Sequence, residues 1–353
     1  MRYVILRSWL ESQHPRTAIS SDFYKLIPKW RSGNTPFIDS PYDPEREEHW
    51  IEHSRVETFA KAISSERSEL VVDLGSGDGW PSLVLASLKS NIRVLGIESS
   101  AQRVQRCIEN GTRLHITNTD FVSAQMDKIP LSDCTADTVI SSFAVEESAT
   151  LPDTLDEIFR ILKPHGKISF LHQIWDLPDQ TVKTFSVLEG IRQGSEHCLV
   201  LVDTVRQKNP NRETKIVAVV SDTEHTRAIC EKILLTLAGY PSIFGEAWIP
   251  ANPSSLETSI DLEVEILEAH ILDCFQYSLV RYADEELVYL LDKAGFTNIQ
   301  ASALPDDQAR AAFRRTDGTE KDFYRDCKLI GETQLSGKGF MTAKKPEILQ
   351  RSR

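Results

Sequence analysis

The chain has 353 residues, enough for one large core with an appendage or for two domains, and it is 41% hydrophobic and 26% charged. Its net charge of −12 argues against a nucleic-acid partner, and no apolar run approaches the roughly 18–20 residues of a membrane span. The six cysteines are scattered without a CxxC pair and the start MRYVILRSWLE is short for a signal-peptide core, so a cytoplasmic chain with reduced thiols and no metal site is expected.

Residues 1–50 hold Trp9, Trp30, Trp50, Tyr24 and Tyr42 among other aromatics, and they read as an ordered arm or lid. Over 51–175, short β-type runs alternate with helical patterns, which predicts a mostly parallel sheet with helices on both faces. Strands are predicted at Leu70–Leu74, Arg93–Ile97, Asp120–Ala124, Asp137–Ser141 and Ile168–Trp175. Helices are predicted at Pro81–Lys89, Ala101–Leu114 and Leu151–Leu162, the last stopped by a turn signal over Lys163–Lys167. Residues 176–262 read as an α+β insertion: a hairpin of Cys198–Thr204 and Lys215–Val220, a helix Glu224–Leu237 and a linker Pro250–Ser255. A long helix Leu256–Cys274 leads back to a core resumed over 263–345. That core adds a helix Asp284–Ala294 stopped at Gly295, and strands Asn298–Ala303 and Gly337–Ala343, before a tail at 346–353.

The richest segment is ELVVDLGSGDGW, where an apolar strand ends in Asp73 and the backbone turns through Gly75, Gly77 and Gly79 before a helix. A strand passing through a glycine turn into a helix offers backbone N–H groups to a ligand lying across the strand ends. Glu98 closes the next strand about 20 residues later, the distance a strand–helix–strand unit imposes, and a carboxylate there can accept from both hydroxyls of a ribose.

Taken in order, VVDLGSGDG, GIESS, AQMDKIPLSDCTADTVISSF, EIFRILKPHGKISF, LLDKAGFTNIQ and GKGFMTAKK resemble the class I S-adenosylmethionine (SAM)-dependent methyltransferases, closest in pattern to the small-molecule group. The resemblance covers residues 65–175 and 284–345. It implies a Rossmann-like α/β fold with a seven-stranded, mostly parallel sheet, SAM as cofactor and S-adenosylhomocysteine (SAH) as product. Asp73 would take the ammonium of SAM, Gly75, Gly77 and Gly79 would admit its amino-acid moiety and ribose, and Glu98 would hold the ribose hydroxyls. Ser76, Ser99, Trp80, Ser141 and Ser142 complete the implied cofactor set. The family often places an acid four residues before the equivalent of Pro130. Here Gln125 or Met126 stands in that place and Asp127 comes late, so the adenine contact is open between them.

On the acceptor side, the Pro-Pro-aromatic signature of amino-methyltransferases is absent, and no Asp at the fourth strand end begins a divalent metal site, so metal-independent methylation of a small molecule is expected. His172 is the candidate general base because histidine titrates in the working range, with a core histidine as the alternative. Glu146 is the second catalytic candidate, either binding a cationic substrate or opening a helix. Tyr24, Trp30 and Trp50 read as an aromatic wall or as core. His49 and His53 share a helical face without an evident third metal ligand. The insertion is expected to enclose substrate or to form a homodimer contact. A SAM-binding protein with a non-methylating, cyclase-like reaction, or a regulatory protein, is the alternative to methyl transfer.

Overall fold

The structure, a computed structural model, describes residues 16–17, 42–63, 67–174, 181–192, 196–207, 212–221, 246–249, 270–316 and 319–347. In chain order the strands are β1 Arg16–Thr17, β2 Glu69–Leu74, β3 Ile92–Glu98, β4 Thr119–Ser123, β5 Ala136–Ser142, β6 Leu162–Leu171, β7 Thr181–Arg192, β8 Glu196–Gln207, β9 Arg212–Ser221, β10 Glu246–Ile249, β11 His270–Arg281, β12 Thr297–Ala303 and β13 Gly339–Lys344. The α-helices are α1 Glu47–Ala62, α2 Ser82–Leu88, α3 Ala101–Arg113, α4 Leu151–Ile161, α5 Asp284–Lys293, α6 Asp306–Phe313 and α7 Glu320–Glu332. The chain divides into two units, residues 1–34 with 175–281 and residues 35–174 with 282–353.

The second unit is built on a seven-stranded sheet in the order β12-β13-β6-β5-β2-β3-β4. Strands β2 to β6 pair in parallel, and β13 runs antiparallel to both β6 and β12. Because both faces are covered, the middle of the central strand β2 is apolar on both sides: Val71 faces one core and Val72 the other. One core joins Trp50 and Phe59 of α1, Leu83 and Leu85 of α2, and Phe323 of α7. The other joins Leu155 and Ile158 of α4 with Leu287 and Leu291 of α5. From β2 the chain proceeds to β3 and β4 on one side and later to β5 and β6 on the other. β2 is therefore a topological switch point, where the connections on its two sides diverge and leave a crevice at the carboxyl ends.

The backbone of the first unit forms a six-stranded sheet, β1-β11-β7-β8-β9-β10. The expected hairpin is present and longer, with β8 and β9 antiparallel from Cys198↔Ser221 to Gln207↔Arg212. The predicted helix Leu256–Cys274 is corrected at its end: residues 270–274 are strand, because β11 pairs with β7 along nearly its whole length and that pairing overrides the local helical spacing. Its earlier part, the helix Glu224–Leu237, the linker Pro250–Ser255, and Tyr24 and Trp30 lie outside the described residues.

Of the two readings of Trp50, wall or core, the structure has the core: it is wholly buried on α1, with its indole N–H donating to the Pro44 carbonyl at 2.7 Å. Strand β6 starts at Leu162 and passes through Lys163–Lys167, where His165 has φ +65° and the pairing with β5 shifts register. Helices α6 and α7 escape sequence detection because small residues, Ala309, Ala312 and Gly331, make much of their buried surface instead of a continuous large apolar stripe.

Candidate functional site

The glycine turn leaves β2 at the switch point. Gly75, Gly77 and Gly79 have φ of +74°, +59° and +104°, values that cost an L side chain about 1–2 kcal/mol. A Cβ on Gly75 would lie 2.3 Å from the Ala144 Cβ and 3.2 Å from the Met126 methyl, so the turn passes hard against the loops after β5 and β4. Its glycine N–H groups are engaged within the turn and by the end of β3. Gly75 and Ser76 donate to the Ile97 carbonyl (2.8 and 3.2 Å), Gly77 to Glu98 Oε2 (3.0 Å) and Gly79 to the Ser76 carbonyl (2.8 Å). The turn offers close approach, and its donors hold its own shape.

Asp73 is fully buried at the end of β2. Ser82 Oγ donates to its Oδ2 at 2.5 Å, while Oδ1 is buried with no hydrogen-bond partner among the described residues. Burial is the main cause that pushes this carboxyl up to about 7; the Ser82 bonds oppose it and Glu98 adds to it. An acceptor oxygen with no donor in a dry site costs free energy unless a ligand supplies the donor.

Glu98 is also buried but well supplied: besides Gly77, it accepts from the Ser100 N–H (2.9 Å) and the Ser99 hydroxyl (3.3 Å), and the Arg103 guanidinium lies 4.0 Å away. Arg103 and Arg106 also reach Asp78 (3.2 and 3.4 Å), an ion-pair group behind the turn that no spacing in the sequence announced. A carboxylate has about four lone-pair sites, so Glu98 retains acceptor capacity.

The other expected residues divide. Met126 stands beside Gly75, and Gln125 and Asp127 are half-buried on the same loop. Ser142 Oγ is buried and lacks a hydrogen-bond partner among the described residues, next to Phe143 at φ +54°. Ser141 is spent on structure, donating to the Leu74 carbonyl (2.8 Å) and accepting from the Val145 N–H (3.2 Å), which ties β5 to β2. Ser76 is wholly buried with its Oγ 4.0 Å from Cys107 Sγ. Trp80 packs in the core and its indole N–H donates to the Tyr42 hydroxyl at 3.0 Å, so its one polar group is already engaged. Burial pushes the Tyr42 phenol up.

His172 and Glu146 come together after β6 and β5, since Glu146 Oε1 accepts from the Gln173 N–H at 3.2 Å. His172 is buried, with Nε2 3.0 Å from Asp284 Oδ1 at the start of α5 and Nδ1 3.3 Å from the Gln173 carbonyl oxygen. Each ring nitrogen lies near an acceptor, although Nε2 makes no hydrogen bond of proper geometry among the described residues. Asp284 is not legible in the sequence, because it meets His172 only through the packing of α5 on β12 and β13. His49 and His53 are buried in α1, where Nδ1 of His49 accepts from the Asp43 N–H (2.7 Å) and His53 Nε2 lies 3.3 Å from Glu57. Among the described residues no group of three or more His, Cys, Asp or Glu could hold a metal, and no helix is long and apolar enough to cross a membrane.

A seven-stranded sheet with β13 reversed at β6, a glycine turn at its switch point and two buried carboxylates beside that turn define an α/β protein of the class I methyltransferase type. A family model for a methyltransferase domain matches residues 65–217, so over this core the chain carries a SAM-dependent methyltransferase domain, whose cofactor is SAM. Over 115 residues it is 28% identical to a malonyl-[acyl-carrier protein] O-methyltransferase of Marinomonas sp., covering 33% of this chain and 42% of that protein. Over 157 residues it is 26% identical to a ubiquinone/menaquinone biosynthesis C-methyltransferase of Rubrivivax gelatinosus, covering 42% and 60%. A solved SAM-dependent methyltransferase from Aquifex aeolicus is 22% identical over 39% of this chain and 78% of its own, with a TM-score of 0.32. The chain thus spans less than two thirds of the length of these two curated relatives.

Proposed function

We propose that the chain transfers a methyl group from SAM to a small molecule. The observation that carries this is Asp73: a wholly buried carboxylate, raised to about 7, with one oxygen lacking a donor beside a turn that only glycine permits. An ammonium supplies that donor, and ionic pairing there would return the carboxylate to its charged form. Glu98, with three of its roughly four acceptor sites already used, keeps capacity for a ribose hydroxyl. Met126 packs on the adenine, with Gln125 or Asp127 as partner for the adenine amine. When bound, SAM supplies a methyl group already activated by its sulfonium.

The protein's own work is then to hold the acceptor in line and keep water out. Of the two proton-accepting candidates, Glu146 supports the reading better than His172, whose ring nitrogens each lie near an acceptor. On this reading the His172–Asp284 pair positions the loop that carries Gln173 and so orients Glu146. The insertion 176–262 is the proposed substrate enclosure or dimer contact, in a cytoplasmic setting that keeps the thiols reduced; nucleic acid is not the substrate. The two curated relatives act at oxygen and at carbon by name, so the shared core does not fix the accepting atom.

Label transfer tests the proposal: methyl-labelled SAM incubated with the protein and a metabolite extract should give one labelled product that Asp73→Asn abolishes. SAH binding without any labelled product would instead favour the non-methylating alternative.

A further inference from the structure

On the sheet face that carries α1 and α7, the side chains change character toward the outer strands. Pairing between β6 and β13 sets three rows on this face: Leu171 with Phe340, Ser169 with Thr342, and Lys167 with Lys344. The first row belongs to the apolar core through Leu171 and Phe340. The next two are polar, and the lysine row lies level with Thr138, near the amino-terminal end of β5 and away from the glycine turn. A cavity of about 370 Å³ opens over these rows, closed by the last turn of α1 with Lys61 and by the segment after α7 with Leu335.

The composition of this cavity is unusual for a chain of net charge −12. Lysines 61, 167 and 344 all line it, and none of its lining residues is Asp, Glu or Arg. Like charges directly opposite on neighbouring strands repel, so the Lys167–Lys344 row is unfavourable without an anion. Lys167 donates to the Ala62 carbonyl (2.8 Å) at the end of α1, an ordinary use of a cation at a helix carboxyl terminus. That accounts for Lys167 but not for Lys344. Burial holds the Lys167 ammonium below the usual lysine range, and Lys344 pushes the same way against Glu69. Ser169 is 1% exposed and lines the cavity beside Thr342.

We propose that this cavity is a second ligand site, separate from the glycine turn, for a small molecule carrying a phosphate or diphosphate group. Three point-charge donors with hydroxyls between them match the several oxygens of a tetrahedral dianion. A planar carboxylate is better met by the fork of an arginine, and the cavity has none. Phe340 and Leu335 give the organic part of the ligand an apolar wall. A recess of this volume suits a metabolite, and the overall negative charge opposes a polyanion.

Calorimetric titration of the full chain with pyrophosphate, at fixed ionic strength, tests this. Saturable binding is expected, weakened about tenfold or more in Lys344→Gln and in Lys61→Gln, the loss of one charge-assisted hydrogen bond each. Both lysines are exposed, so the variants should melt like the parent and bind SAH with unchanged affinity. Four outcomes overturn the proposal: no saturable binding, equal binding by both variants, citrate bound as tightly as pyrophosphate, or displacement of pyrophosphate by SAH. Preferential binding of a single-stranded oligonucleotide, falling steeply with salt, would also contradict it.

Discussion

Two ends of one sheet are built from opposite charges. At the switch point, β2 and β3 end in the buried carboxylates Asp73 and Glu98, and the cations nearby, Arg103 and Arg106, are turned toward Asp78 and Glu98. At the outer strands, β6 and β13 set Lys167 opposite Lys344 over a cavity without an acid. In both places charged side chains are held without full compensation from the protein, and each imbalance names the charge of its ligand. Asp73 asks for a cation, and the lysine row asks for an anion.

The largest effect should come from closing the turn. Gly75→Ala puts a methyl group into contact with Ala144 at φ +74°, so a loss of about 2–4 kcal/mol in stability is expected from strain plus overpacking. Chemical denaturation measures it; a neutral substitution would mean the turn is not tight.

Next comes the pH dependence of the free protein. The Asp73 carboxyl is raised from 3.8 to about 7, so the folded state keeps a proton that the unfolded chain releases. Its contribution to stability is therefore full below about pH 4 and is lost as pH rises toward 7. Asp73→Asn should then raise Tm relative to the parent at pH 7.5 and change it little at pH 4. A variant less stable at pH 7.5 would contradict the burial penalty.

Glu98→Gln should weaken SAH binding several-fold, up to about tenfold, because the amide accepts from Gly77 but loses the charge that strengthens bonds to hydroxyls. Unchanged affinity would remove Glu98 from the ribose site. Lys344→Gln should leave SAH affinity unaltered, and any loss there would merge the two regions into one.

The two ends also differ in how far the sequence exposes them. Asp73, the glycines and Glu98 lie within one strand–turn–helix–strand unit, so their spacing marks the candidate site, while the seven-stranded fold is what the resemblance to the methyltransferases implies. The lysine cavity draws on α1, β6, β12, β13 and the segment after α7, and only sheet register brings Lys167 against Lys344. Register is a long-range property that local patterning does not carry. The same reason hid Asp284 from His172 and Tyr42 from Trp80. The donors of the turn are hidden for a related reason: spacing locates a glycine turn, but that Gly75 and Ser76 donate back to Ile97 depends on how β3 lies beside it.

Calorimetric titration with SAH, comparing the parent and Asp73→Asn at pH 7.5 and pH 6, tests the ammonium anchor most directly. With the carboxyl titrating near 7, the parent should bind about tenfold more weakly at pH 6, since ligand must pair with the ionised form. Asp73→Asn should bind roughly a hundredfold more weakly than the parent at pH 7.5 and show no such pH dependence. Parent-like affinity in Asp73→Asn, or a parent whose affinity does not fall at pH 6, would contradict the assignment of Asp73 as the cofactor's cation site.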